Sequence, residues 1–195
     1  MNNLLDVIFA FIIVGILILA VLQVDMNVKA NAINIQKDLI AQENTGVLSE
    51  IIEYDLRKIG HGLRHPFRAI KAADTSRVVF SYDRNPTTVL DSIRVEYRVI
   101  PAQSTPNPDD ILIQRIVNGN QTNNISLGAT RLRFSYYNDK GLQFNTPVVS
   151  DSLQRIRTIE MILSVESKES FQGEYSQVDY QTRITPKNLL IRWGQ

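Results

Sequence analysis

The most apolar stretch of the chain comes first. From Leu4 to Leu22 the sequence reads LLDVIFAFIIVGILILAVL, nineteen residues with one charge, Asp6, and one glycine, Gly15. As a helix this segment rises roughly 28 Å, close to the hydrocarbon thickness of a bilayer. It is apolar on every side, and nothing else in the chain is apolar enough to surround such a helix. No Lys or Arg precedes Lys29, and Ile18-Leu19-Ala20 lacks the small residue that a signal peptidase needs at −3. The segment is therefore read as a retained membrane helix. From Gln23 to Ile59 there is no proline, and apolar residues recur at Ile33, Ile40, Val47, Leu48, Ile51, Ile52, Leu56 and Ile59. Those spacings of 3, 4 and 7 predict one helical face, with Asn34, Lys37, Gln42, Asn44 and Lys58 filling the rest. A helix unbroken to Ile59 is ~85 Å long. Gly46 is its expected weak point, at ~1 kcal/mol relative to alanine, and Gly60, Gly62 and Pro66 supply the stop.

Beyond Pro66 the period changes from 3.6 to 2. Ile93-Arg94-Val95-Glu96-Tyr97-Arg98-Val99 alternates apolar with charged side chains, the pattern of a strand with one face on a core and one in water. Similar runs at Arg77 to Tyr82, Ile111 to Val117, Arg131 to Tyr137, Arg157 to Val165 and Val178 to Ile184 make about six antiparallel strands. Turn signals at Asn85-Pro86, Pro106-Asn107-Pro108, Asn118-Gly119 and Asn138-Asp139-Lys140-Gly141 separate them. Pro101 to Asp110 reads as an exposed hairpin loop. Asn118 to Gly128 is polar, shows no strand pattern and reads as a surface loop.

Composition then narrows the classes. With the helix set aside, about 130 residues remain, enough for one domain. Lys+Arg of 21 against Asp+Glu of 20 gives a net charge of +1, so no global field favours an acidic partner. The absence of cysteine excludes disulfides, thiolate metal sites and thiol catalysis.

Candidate chemistry is sparse. His61 and His65 have the i, i+4 spacing of helical metal ligands, but Pro66 pushes His65 out of the α region and Gly60 and Gly62 weaken a helix there, so a boundary loop is the better reading. Asp139 and Asp151 lack the spacing of a calcium loop; Asn138 to Gly141 fits a type I turn with glycine in the left-handed position. No nucleophile elbow, P-loop, HExxH or GxGxxG occurs. The residues thus point to no catalytic group, no metal and no cofactor. Arg57, Lys58, Arg64, Arg68 and Lys71 form a candidate basic contact patch that could meet phosphates, though Phe67 alone makes no stacking platform, so nucleic acid is a weakly supported partner. Asp6 carries most weight. A carboxylate inside an apolar segment costs ~2.5–3.5 kcal/mol at mid-bilayer depth, less near the interface, and such residues mark function.

An acidic residue in the second turn of an apolar N-terminal helix, a glycine nine residues later, and an amphipathic continuation into a β-rich domain resemble type IV pilins and type II secretion pseudopilins. On that pattern Asn3-Leu4-Leu5-Asp6 falls on the start of the mature helix, with Asp6 where the family has glutamate, Gly15 where it commonly has glycine, and Asn2 at the first mature position after Met1. Ile51 to Gly60, with Asp55-Leu56-Arg57 before a glycine, resembles minor pilins of the PilW or J-pseudopilin type. Leu132 to Gly141, Leu153 to Val165 and Thr182 to Leu189 add weaker matches in the same order. Two departures stand out: the family's basic leader is absent before the match, and aspartate has a shorter reach than glutamate.

The resemblance implies an α+β, pilin-like fold in which a long N-terminal helix packs on an antiparallel β-sheet domain. Residues 1–28 would be the membrane or filament-core helix, 29–62 its amphipathic continuation and 63–195 the globular domain. It further implies a non-enzymatic filament subunit, minor or major, with Met1, Asn2, Asp6 and Gly15 in assembly. Its partners would be other pilin or pseudopilin subunits and, before assembly, inner-membrane lipid. The N-terminus would face the cytoplasm and the domain the outside. The alternative is a tethered module binding a ligand through loops around Asn107 and Asn123.

Overall fold

The computed structural model of the protein describes residues 2–84, 92–103, 105–170 and 173–190. One helix, α1 (Asn2–Arg57), runs 56 residues without interruption, about 84 Å at the usual rise. It passes straight through Gly46, whose Cα faces open space, because Thr45, Leu48 and Ser49 beside it are buried and hold the backbone from the other side. The helix ends at Arg57, two residues short of the expected Ile59. Gly60 turns the chain with φ +76°, and its N–H donates to Ser81 O at 3.1 Å. An added Cβ there would stand 3.1 Å from Pro66 Cβ, so the position needs glycine for conformation and for space.

Two antiparallel sheets follow, where one had been expected. Sheet A is a meander of β1 (Ile70–Ala73), β2 (Arg77–Asp83), β3 (Ser92–Pro101), β4 (Ile111–Val117) and β5 (Gln121–Ile125), in that spatial order. Sheet B joins β6 (Ala129–Tyr137), β7 (Thr158–Glu166) and β8 (Gln177–Ile184). A single turn of helix, α2 (Ser150–Leu153), lies between β6 and β7 in sequence. All six expected strands are present, and β1 and β5 are additional. The segment read as a patternless loop, Asn118 to Gly128, therefore contains an edge strand, paired through Val117↔Gln121 to Ile113↔Ile125. The turn expected at Asn85-Pro86 lies outside the described residues.

The core is shared by three layers: Leu48, Ile52, Leu56 and Ile59 of the helix end, Phe80, Val95, Tyr97 and Ile113 of sheet A, and Phe134, Tyr136, Met161 and Leu163 of sheet B. Four fully buried aliphatic side chains contribute ~1.5–3 kcal/mol each, a sum comparable to the net stability of a domain. The helix end is thus part of the core.

The expected helical face divides in two. Leu48, Ile52, Leu56 and Ile59 are buried, while Ile33, Ile40 and Val47 are 43%, 46% and 42% exposed. Spacings of 3, 4 and 7 accommodate both rows; the buried one is completed by Ala41, Thr45, Ser49 and Asp55, small or polar residues that a hydrophobic pattern does not count.

Candidate functional site

Two parts of α1 carry the unusual chemistry, the bare N-terminal stretch and the joint with the sheets. From Leu4 to Leu22 every large apolar side chain is between 47% and 73% exposed. Asp6 is exposed among them, and Gly15 has nothing within 4 Å of its Cβ position. Met1 lies outside the described residues, as does the side chain of Asn2, which opens the helix. Above the apolar span Lys29 pairs with Asp25 at 2.7 Å, both exposed. The domain first reaches the helix at Lys37, whose Nζ donates to Glu169 O at 2.9 Å, and at Asp38, which accepts from Ser176 Oγ. The first buried helix residue is Ala41.

At the joint, Glu53 and Asp55 are two residues apart on a helix that turns ~100° per residue, so their carboxylates leave on opposite sides. Glu53 accepts from the Tyr180 hydroxyl of β8 and from Arg57 at 2.7 Å. Asp55 is buried; its Oδ2 accepts from Tyr97 Oη of β3 at 2.8 Å and from Arg115 Nε of β4 at 2.6 Å. Each sheet thus holds one side of the helix through a tyrosine–carboxylate bond. Burial works to raise the Glu53 carboxyl, but the bonds from Tyr180 and Arg57 outweigh it and hold the group below its ordinary value. Burial, and then the Asp55 charge, push the Tyr97 hydroxyl far above the usual tyrosine range, so it remains a donor. The bond to Asp55 raises Arg115 further. Nothing in the local sequence announces this cluster, because Tyr97 and Arg115 lie 42 and 60 residues from Asp55.

The basic patch is not assembled as one surface. Arg57 is paired with Glu53; Lys58 sits 3.7 Å from Asp55 Oδ1 and 3.6 Å over the Tyr54 ring. Both line a cleft of 630 Å³ with Tyr54, His61 and Tyr82, where their charge is already answered. Arg68 and Lys71 instead border a separate depression with Ser150 and Asp151, and Arg64 is exposed in the turn after α1. His61 and His65 occupy that turn and not a helix. Asn138 Oδ1 accepts from the N–H groups of Lys140 and Leu142, and Gly141 has φ +75°, the turn expected of this segment.

The loop between Pro101 and Asp110 joins β3 to β4 and is largely exposed, as expected, but it is pinned at two buried residues. Asn107 is fully buried and donates through Nδ2 to Glu166 Oε2 at 2.8 Å, which removes it from any ligand-reading surface. Asp110 is 7% exposed, and its Oδ1 has no hydrogen-bond partner among the described residues. Asn123 belongs to β5.

No protein-family model matches the chain, and no curated protein matches it. The fold itself defines the class: an α+β domain built onto one N-terminal helix, which is long and apolar enough in its first part to cross a membrane.

Proposed function

We propose that the protein is a non-enzymatic structural subunit of a pilus-like filament, of the minor pilin or pseudopilin kind. Its N-terminal helix sits in the inner membrane before assembly and packs against the helices of other subunits afterwards, with the domain outside. The observation that carries this reading is a single rigid helix with two surfaces. From Ala41 to Leu56 one side of the helix is buried in the core of the domain, and the large apolar residues before Ala41 are exposed. A segment that is apolar all round suits lipid, and it suits a bundle of like helices as well. Asp6 separates the two environments. In a bundle the terminal amine of one subunit approaches the carboxylate of the next in a poorly hydrated core, and breaking one side of such a pair costs ~3–5 kcal/mol.

Asp6→Asn is expected to keep normal membrane levels and to be sharply depleted from sheared filaments. Quantifying the subunit in both fractions is the test. Normal incorporation of the variant would remove Asp6 from assembly, and wild-type protein missing from every filament fraction would defeat the filament reading.

A further inference from the structure

The outer face of sheet A carries arginines from two strands. Arg94, Glu96 and Arg98 alternate with buried residues along β3, and Arg77 of β2 stands directly opposite Arg98. Like charges at facing positions repel. The one carboxylate among these three arginines, Glu96, is turned to Arg77 Nε at 2.9 Å. Arg98 has only the neutral Gln114, at 2.7 Å, and the Arg94 guanidinium has no partner among the described residues. Beside them is a depression of 380 Å³ bounded by Arg94, Glu96, Asn118 and Gly119, with the buried Ile116 in its wall.

The opposite charge pattern stands on the long helix. On α1, Glu43 and Glu50 are exposed, and Val47 between them is 42% exposed. Positions i, i+4 and i+7 share one helix face. Neither glutamate has a cation at three or four residues' distance in the sequence, and neither has a partner among the described residues. The acids are ~10.5 Å apart along the helix, and Arg94 and Arg98 ~13 Å apart along the strand, within the reach of long side chains. The helix lies on the core side of sheet A, since Asp55 meets Tyr97 and Arg115 there. Glu43 and Glu50 lie about 120–140° around the helix from Asp55, so the acidic ridge and the arginine face of one chain do not meet.

We infer that the arginine face of one copy receives the Glu43–Val47–Glu50 ridge of a second copy, arginine against glutamate, with Val47 between the two charge pairs. Two different surfaces meet, so the contact is heterologous; such a contact gives a ring or an open helical array according to the rotation between copies, and a filament requires the open case. This inference rests on the filament reading and names the surface through which the domains would follow one another.

The chain has no cysteine, which makes pairwise crosslinking clean. Two separately tagged full-length chains, Arg98→Cys and Glu50→Cys, are co-expressed in membranes and treated with a short bis-maleimide. Crosslinks are expected between the two variants and not between copies of the same one. Arg94→Glu with Arg98→Glu should cut filament incorporation at least about tenfold, and adding Glu43→Lys with Glu50→Lys should restore it to within about twofold. Filaments that form without the mixed crosslink, or a reversal that the second pair does not rescue, overturn the inference while leaving the Asp6 result untouched. Mixed crosslinks in membranes from which no filament grows would uphold this contact and defeat the filament reading.

Discussion

The two halves of α1 share one backbone geometry and differ in what holds them. Between Leu4 and Gln36 no residue is buried, whereas from Ala41 onward every turn contributes a buried residue. Most helical stability in proteins comes from packing of one face; the second half has a core that it helps to build, and the first has none within the domain among the described residues. Uniform secondary structure thus conceals a division of energetics, and substitutions reveal it.

The largest effect is expected at Asp55. Asp55→Ala leaves Arg115 half-buried without its carboxylate and should destabilise the domain by ~3–5 kcal/mol, read by denaturant unfolding. Asp6→Asn should show no such effect on domain stability, even where it depletes the subunit from filaments as the proposed function expects. Next comes a matched pair of aliphatic truncations. Ile52→Ala opens a cavity in the shared core and should cost ~2–5 kcal/mol. Ile35→Ala, 60% exposed, should stay within ~0.5 kcal/mol of wild type, and equal losses in the two would erase the distinction between the halves.

A smaller effect of opposite sign is expected at Asp110. Burial, reinforced by the charges of Glu166 and Asp109 and opposed by a hydrogen bond from Thr105, holds this carboxyl above its ordinary value. A raised carboxyl contributes stability below the unfolded value of ~3.9, and that contribution is lost as pH rises through the folded value. Asp110→Asn should therefore stabilise the protein by roughly 1 kcal/mol at neutral pH, and the gain should vanish near pH ~3.5. Glu53 runs the other way: its lowered value adds stability above the unfolded value of ~4.3, lost as pH falls through the folded one. The smallest change is expected from removing residues 1–28 altogether. The remainder should be a soluble monomer with the circular dichroism and melting behaviour of the domain, and an aggregated product would show that the bare half contributes to the fold.

Periodicity made the long helix and six strands legible because each has a face to bury. β1 is only four residues, IKAA, too short for a period to register. β5, QTNNI, is polar on both faces and is held by backbone pairing to β4, so a hydrophobic pattern cannot find it. The pairing of Arg57 and Lys58 was legible, since Glu53 and Asp55 stand four and three positions before them, whereas the arginine face is invisible because Arg77 and Arg98 meet only through strand pairing. Asp6 and Gly15 could be picked out by their place in an apolar run, and the structure sets them on a bare surface without supplying the neighbour that would define a role.

The paired carboxylates at the joint also fix an azimuth. Glu53 and Asp55 reach tyrosines on different sheets, so the helix cannot roll by one residue, ~100°, and keep both bonds. Because α1 is continuous from there to its N-terminus, that phase is transmitted along the rod, and the direction in which Asp6 points is set by contacts made near the other end. One residue added to the bare stretch would swing the membrane segment ~100° about its axis and lift the domain ~1.5 Å, whereas seven would bring the bearing back to within ~20°. The domain is in this sense keyed to its anchor, as a dial is to its shaft.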